Sequence, residues 1–256
     1  MRIATWNVNS IKARLPNVLE WMKDAKPDVL LMQELKCEAE DFPRLEFEAM
    51  GYHLAIAGQK AYNGVAIISR EKPENVLRFL PGGETDTAAR YIEASVGNVR
   101  VASIYAPNGN PIDSEKFTYK LDWLKRLKVH AAKLLEGETP FVLGGDYNVI
   151  PAAEDVYDPE GWEQDALYHP RSRAAFRELL HLGLTDAFRA LNPHKKHAWT
   201  FWSYRSGAWQ KDAGLRIDHF LLSPEATDRL TKCFIDRTPR GQAGASDHTP
   251  VMMVID

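Results

Sequence analysis

The segment FVLGGDYN, residues 141–148, contains the pattern that decides how this chain folds. Its apolar part, Phe141–Leu143, is too short for a helix and is bounded by Gly144 and Gly145, which is typical of a strand. Asp146 and Asn148 follow directly. The segment therefore predicts a buried strand that runs into polar side chains at its end.

Similar short apolar segments recur along the chain, at residues 1–6, 28–32, 64–69, 99–105, 216–223 and 250–255. They are bounded by Gly, Pro, Asn or Asp, and they predict about ten strands in all. Apolar residues at helical spacing predict helices over residues 15–25, 114–136 and 172–181, with Gly137 as the cap of the second. No repeat or linker interrupts this pattern. We therefore predict one domain, residues 1–256, folded as an α/β sandwich of two packed sheets.

The composition is that of a globular protein. Of the 256 residues, 45% are hydrophobic and 26% are charged, which argues against disorder. No apolar run approaches the roughly 20 residues of a membrane span, and the first residues resemble a strand rather than a signal peptide. The two cysteines, Cys37 and Cys233, suggest neither zinc nor a disulfide framework. We therefore expect a soluble cytoplasmic protein of bacterial type, without membrane contact. A net charge of −3 argues weakly against a nucleic-acid partner, unless acidic residues gather around a metal.

Polar residues stand at the ends of several predicted strands, namely Asn7, Glu34, Asp146, Asn148, Asp218, Asp247 and His248. A carboxylate beside a buried strand costs several kcal/mol unless it is paired, hydrogen-bonded or bound to a cation. Singly, each residue is more often a solvated strand end, a turn residue or an ion-pair partner. Together, they supply what metal-assisted hydrolysis of a phosphodiester needs, and their oxygen atoms suit Mg²⁺ or Mn²⁺. Sequence spacing alone leaves open whether they converge.

Six motifs occur in the order seen in exonuclease III, a DNA-repair member of the endonuclease/exonuclease/phosphatase superfamily. They are TWNVN (residues 5–9), QELK (33–36), YAPN (105–108), GDYN (145–148), LRID (215–218) and SDH (246–248). Each motif is weak alone, but together they span essentially the whole chain. The resemblance implies a four-layered, DNase I-like α/β sandwich of two mixed sheets flanked by helices, with the active site at one end of the sheets.

The resemblance also implies a metal site and a cofactor. By motif position, Glu34 is expected to be the principal ligand of Mg²⁺ or Mn²⁺, with Asn7 and Asp247 close to the ion. Leu35 and Tyr147 depart from residues common in the family, but neither position supplies chemistry there.

The expected catalytic residues surround this metal. Asp146 is expected to activate water or to protonate the leaving 3′ oxygen, and Asn148 to orient the nucleophile. His248, steadied by Asp218, and Tyr105 are expected to hydrogen-bond the scissile phosphate.

A further set of residues is expected to contact DNA. Trp202 and Leu215 are the candidates for a pocket that takes an extrahelical abasic sugar, with packing of these aromatic residues in a core as the alternative. Arg90, Asn108 and Lys36 are the candidates for backbone phosphate contacts, with an ordinary solvated surface as the alternative.

The motifs favour a Mg²⁺-dependent DNA-repair nuclease. It would act as a monomer on duplex DNA, cutting 5′ to abasic sites and removing 3′ blocking groups and nucleotides from 3′ ends. Two alternatives stay open at this point. One is a lipid or inositol-phosphate phosphodiesterase of the same superfamily, and the other is a non-catalytic relative that only binds damaged DNA.

Overall fold

A computed structural model describes residues 1–256 and contains two six-stranded sheets. The strands are β1 (Arg2–Asn7), β2 (Val29–Gln33), β3 (His53–Ala57), β4 (Val65–Ser69), β5 (Glu74–Leu77), β6 (Tyr91–Val96), β7 (Val99–Tyr105), β8 (Phe141–Asp146), β9 (Thr185–Asp186), β10 (Asp218–Leu222), β11 (Leu230–Ile235) and β12 (Val251–Ile255). The helices are α1 (Ile11–Ala25), α2 (Arg44–Ala49), α3 (Glu115–Leu135), α4 (Pro170–His181), α5 (Ala187–Leu191) and α6 (Pro224–Thr227), with 3₁₀ turns at Ala153–Asp155 and Thr238–Gly241. None of these helices combines the length and the apolar composition needed to cross a bilayer.

The strand order explains why so many strand ends meet. The first sheet has the order β11-β12-β1-β2-β4-β3, and the second has the order β5-β6-β7-β8-β10-β9. Each sheet has one central parallel pair, β1 with β2 and β7 with β8, whose carboxyl ends lie side by side. Strands β12 and β10 run antiparallel to β1 and β8, so their amino ends reach the same edges.

Three hydrophobic clusters separate four layers. Side chains from both sheets, such as Leu31 and Phe220, fill the space between the sheets. The outer face of the first sheet packs against α1 and α2, and that of the second packs against α3 and α4. Alternation along each strand produces this arrangement, since Leu30 faces the helices while Leu31 faces the other sheet. The predicted four-layered sandwich of two mixed sheets is confirmed.

The predicted elements are present, with shifted boundaries. Helix α1 begins four residues before Leu15 and includes Pro16 in its interior, because the N–H groups of Ser10 and Ile11 donate to the carbonyls of Glu34 and Leu35 and fix its start. The prediction that Gly137 caps α3 is wrong, because the C-cap residue is Glu136. The helix ends at Leu135, and the left-handed residue after it is Glu138.

Candidate active site

The polar strand ends converge at one edge of the sandwich. Asp146 at the end of β8 is in register with both Tyr105 at the end of β7 and Asp218 at the start of β10. In the other sheet, Asn7 at the end of β1 is in register with Gln33, the residue before Glu34. The two sheets pack closely at Gly144. A Cβ added at this position would lie 2.6 Å from the ring of Phe220 and 2.8 Å from Leu31. Gly144 therefore allows the close approach that brings the two sets of strand ends together.

Asn7 joins the carboxylates of the two sheets. Its side-chain nitrogen donates to Glu34 Oε1 at 2.8 Å and to Asp146 Oδ2 at 2.9 Å, while its Oδ1 accepts from the backbone N–H of Asn9. Glu34 adopts a left-handed backbone conformation (φ 53°), and its Oε2 lies 3.0 Å from Lys36 Nζ. Burial raises the pKa of Glu34, but the Asn7 hydrogen bond and the charges of Lys36 and His248 lower it by more, so the net shift is downward. Glu34 is therefore an ionised carboxylate held by a neutral donor and a cation.

His248 lies between two buried aspartates. Its Nδ1 is 2.9 Å from Asp218 Oδ2 and its Nε2 is 3.8 Å from Asp146 Oδ2. Burial lowers the pKa of His248, but Asp218 and Asp146 raise it by more, to about 10. The imidazolium form donates through both nitrogens and has no lone pair for a metal. His248 is thus a fixed cation in the site, and the ring of Phe201 packs against it at a centroid distance of 4.9 Å.

Asp146 is held in place by the residues that follow it. The backbone N–H of Asn148 donates to Asp146 Oδ1 at 2.9 Å, and Asn148 itself has a left-handed backbone conformation (φ 49°). Burial and the charge of Asp218 raise the pKa of Asp146, while His248 opposes the shift. Burial and the carboxylates of Glu34 and Asp146 raise the pKa of Tyr105 well above its usual value, so the phenol keeps its proton. Tyr105 is therefore available as a hydrogen-bond donor.

Asn7 and Asp247, both expected close to the metal, make contacts that differ from those of Glu34. The oxygens of Glu34 and Asp146 and a nitrogen of His248 all lie within 4.8 Å of one another, and Asp247 does not belong to this group. Asp247 Oδ1 instead accepts from the side chain of Asn9 at 3.0 Å. Asn7 directs its nitrogen, not its oxygen, toward the carboxylates, because its oxygen is already engaged by Asn9. In this arrangement Asn7 acts as a donor to the carboxylates rather than as an oxygen ligand.

The carboxylates of the site outnumber the cations that lie within salt-bridge distance of them. We define the site cluster by its four carboxylates and its two cations, which are Glu34, Asp146, Asp218, Asp247, Lys36 and His248. The second oxygen of Asp218, Oδ1, is buried without a hydrogen-bond partner. An excess of carboxylate oxygens over cations is what a hard divalent cation neutralises, and Mg²⁺ and Mn²⁺ prefer such ligands. The residues present fit a divalent metal of this kind.

The expected phosphate-contact residues line the same edge. Arg90 stacks over the ring of Tyr105 at 4.7 Å and donates to its carbonyl at 3.3 Å. The side-chain nitrogen of Asn108 lies 3.5 Å from Asn148 Oδ1, and Lys36 contacts both Glu34 and Asn9. These three side chains therefore stand beside the catalytic candidates rather than on a remote surface.

The expected pocket residues lie in the core. Trp202 is 0% exposed and packs against Trp209 at a centroid distance of 4.8 Å, while Leu215 is 1% exposed. Neither side chain reaches the surface of the site, so the core alternative describes their positions. Their neighbour Phe201 is partly exposed and pairs with Leu215 and with His248 through isolated bridges.

Two residues of the site were not assigned from the sequence. Asn9 lies in the first motif and links Lys36, Asp247 and, at 3.5 Å, the hydroxyl of Tyr204. Phe201 stands beside Trp202 in the aromatic loop. Their motifs were informative, but which of two neighbouring residues faces the site depends on the local path of the backbone.

Comparisons with known proteins agree with this geometry. The model of the endonuclease/exonuclease/phosphatase family matches residues 4–248. Exodeoxyribonuclease III of Haemophilus influenzae is 30% identical, and the match covers 98% of each chain. A solved AP endonuclease from Archaeoglobus fulgidus is 40% identical with a TM-score of 0.96, covering 100% of this chain and 99% of that one. The 3′-5′ exonuclease NExo from Neisseria meningitidis is 41% identical with a TM-score of 0.97, covering 100% of both chains. The family expected from the motifs is confirmed.

Proposed function

Because this chain belongs to the endonuclease/exonuclease/phosphatase family, we propose that it is a DNA-repair nuclease that incises the backbone 5′ to abasic sites and also trims 3′ ends. The observation that carries the proposal is the unbalanced site cluster at the strand ends, which holds a carboxylate for a metal, an imidazolium for a phosphate and a buried aspartate for a proton. The similar proteins named above, which are by name an AP endonuclease, a 3′-5′ exonuclease and an exodeoxyribonuclease, support DNA as the substrate.

The family is metal-dependent, and we propose Mg²⁺, or Mn²⁺ in its place, as the ion at this site. Glu34 would hold it, since Glu34 is ionised and partly open to solvent, and Asp247 would be the second carboxylate near the ion. Asn7 would keep Glu34 in position through its side-chain N–H. When bound, such an ion supplies charge neutralisation at the phosphate oxygens and at the leaving oxygen.

The remaining residues would handle the phosphate and the protons. His248, held as imidazolium by Asp218, and Tyr105 would donate hydrogen bonds to the non-bridging oxygens of the scissile phosphate. Water attacks phosphorus, the P–O3′ bond breaks, and a 3′ hydroxyl and a 5′ phosphate result. Asp146 would take the proton from that water or give one to the leaving oxygen, with Asn148 orienting the nucleophile.

The proposed DNA contacts are made by side chains that lie beside or support the catalytic candidates. Arg90, Lys36 and Asn108 would contact backbone phosphates beside the scissile bond, because all three lie next to catalytic candidates. Phe201 would line the pocket for a flipped-out abasic sugar, while Trp202 and Leu215 would support it from within the core. We propose that the protein acts as a monomer in the cytoplasm, at the nucleoid, where its DNA substrate would lie.

The proposal is tested with a labelled duplex that carries one synthetic abasic site. Incision 5′ to the lesion is expected with Mg²⁺, and none with EDTA. The variant Glu34→Gln is expected to lose roughly 10²-fold or more in kcat, while Glu38→Gln, an exposed carboxylate four residues away, serves as the matched control.

The same preparation separates the alternatives. Hydrolysis of sphingomyelin or inositol phosphates without cleavage of any DNA would favour a phosphodiesterase of another substrate class. Tight binding of the abasic duplex without any cut in Mg²⁺ or Mn²⁺ would favour a non-catalytic relative.

A further inference from the structure

Lys120 on α3 is a buried cation with no carboxylate in contact. It is 0% exposed, and its ammonium nitrogen donates to three backbone carbonyls. The acceptors are Asn148 O at 2.5 Å, Asn108 O at 3.0 Å and Ala166 O at 3.2 Å. Only an ammonium group has one proton for each of three acceptors in this arrangement. The buried ammonium group therefore binds main-chain carbonyls rather than an acidic side chain.

The three carbonyls belong to three different loops. Asn108 follows β7, Asn148 follows β8, and Ala166 lies in the segment before α4. The first and third loops are also bound to each other, because Asn110 donates to Asp165 and accepts from the N–H of Ala166. Lys120 is therefore the point at which all three loops are joined behind the site.

The packing around Lys120 leaves little freedom. A Cβ at position 109 would lie 2.6 Å from Lys120 Cδ, so Gly109, with φ 88°, lets its loop lie directly on the lysine side chain. Burial lowers the pKa of Lys120 to about 7, against the opposing charges of Asp146 and Asp165. A buried ammonium is retained only where its hydrogen bonds offset this desolvation.

We propose that Lys120 is a positioning residue for catalysis, which fixes the peptide of Asn148 and, through it, the carboxylate of Asp146. This inference rests on the proposed nuclease function. The carbonyl of Asn148 is held by Lys120, while its N–H is held by Asp146 Oδ1, so a left-handed residue is anchored on both sides. The same ammonium group places Asn108, whose side chain lies 3.5 Å from that of Asn148. Loss of the cation would remove the donor to the carbonyls of Asn148 and Asn108 and release both loops, while Ala166 O would keep its hydrogen bond from the Ser172 hydroxyl.

The test is a comparison of three variants in the abasic-duplex assay. Lys120→Met keeps the length of the side chain and removes its donors, and we expect kcat to fall roughly 10- to 100-fold, with a smaller rise in KM because Asn108 is one of several proposed phosphate contacts. Lys120→Arg restores a cation with several donors and is expected to recover part of kcat. Leu179→Ala, a buried position on α4 away from the site, is the control for a general loss of stability.

The outcomes separate the two proposals. An inactive wild-type enzyme would defeat the nuclease function itself. An active wild type with Lys120→Met at unchanged kcat per folded molecule, or with only the losses seen in Leu179→Ala, would overturn the positioning role. If Lys120→Met does not fold, Gly109→Ala displaces the lysine side chain and is expected to lower kcat in the same way; unchanged kcat in that variant would overturn the inference.

Discussion

Two groups of buried and partly buried charged residues in this fold differ in one respect. The site cluster has four carboxylates and two cations. The second group, which we call the ion cluster, consists of Asp155, Asp186, Arg189, Arg216 and His219. Its two aspartates face two arginines, and Arg216 reaches Asp155 at 2.7 Å and Asp186 at 2.9 Å. Burial and the charge of Arg216 lower the pKa of His219 to about 4, so this histidine is neutral.

The difference separates a structural from a functional role. In the ion cluster every charge has an opposite charge inside the protein, and it joins β10, α5 and the 3₁₀ turn at Ala153–Asp155. In the site cluster the carboxylates exceed the cations, and Asp218 Oδ1 has no partner. A buried group whose charges cancel is complete without a ligand, whereas one with excess charge requires a partner from solution.

The largest expected effect is on activity in the site cluster. Asp146→Asn is expected to lower kcat by roughly 10³-fold, because the amide no longer exchanges a proton with the nucleophile or the leaving group. The same change removes one carboxylate from an excess, so the unfolding free energy is expected to rise by about 1 kcal/mol. Steady-state kinetics and urea denaturation measure the two quantities. A marked loss of stability in this variant would contradict the comparison.

The ion cluster is expected to respond in the opposite way. Arg216→Met leaves Asp155 and Asp186 buried with fewer cations, so we expect the unfolding free energy to fall by about 3–5 kcal/mol. Arg216→Lys keeps the charge without the two-pronged contact to Asp155. Its unfolding free energy is expected to lie between those of the wild type and Arg216→Met. If urea denaturation shows Arg216→Met as stable as the wild type, the ion cluster is not a stabilising element.

Added metal should distinguish the two groups by binding only one of them. At a Mg²⁺ concentration one hundred times Kd, the unfolding free energy is expected to rise by about 2.7 kcal/mol. Thermal unfolding with and without Mg²⁺, at matched ionic strength, measures the shift. Glu34→Gln is expected to lose the shift, while Asp155→Asn, in the ion cluster, is expected to keep it. Equal shifts in all three proteins would place the metal elsewhere.

The smallest effect concerns acid stability of the ion cluster. Burial raises the pKa of Asp155, but Arg216 and Arg189 lower it by more, so its folded-state pKa lies below that of the unfolded chain. Its stabilisation is therefore complete above the unfolded-state pKa of about 3.9 and is lost as the pH falls through the folded-state value. Unfolding free energies between about pH 6 and pH 3 are expected to fall more steeply for wild type than for Asp155→Asn. Parallel curves would rule out this contribution.

The sequence by itself determined the elements and the chemistry of the site. Short segments rich in β-branched residues predict strands from local sequence alone. A carboxylate such as Asp146 or Glu34 directly after a buried strand costs free energy unless it is paired or binds a ligand, so these residues also indicate a site without knowledge of the fold. Helix α3 was predicted to within one residue at each end, because its apolar periodicity extends over more than twenty residues.

Only the tertiary structure decided which residues meet and which side chains reach the surface. Trp202 is buried while the adjacent Phe201 contacts His248, and Asp247 lies outside the group formed by Glu34, Asp146 and His248. Lys120 carries no motif, and its partners are carbonyls 12, 28 and 46 residues away in sequence. Spacing along a chain sets local conformation, but the direction of one loop side chain and the partners of one buried ammonium are set by packing between segments that are distant in sequence.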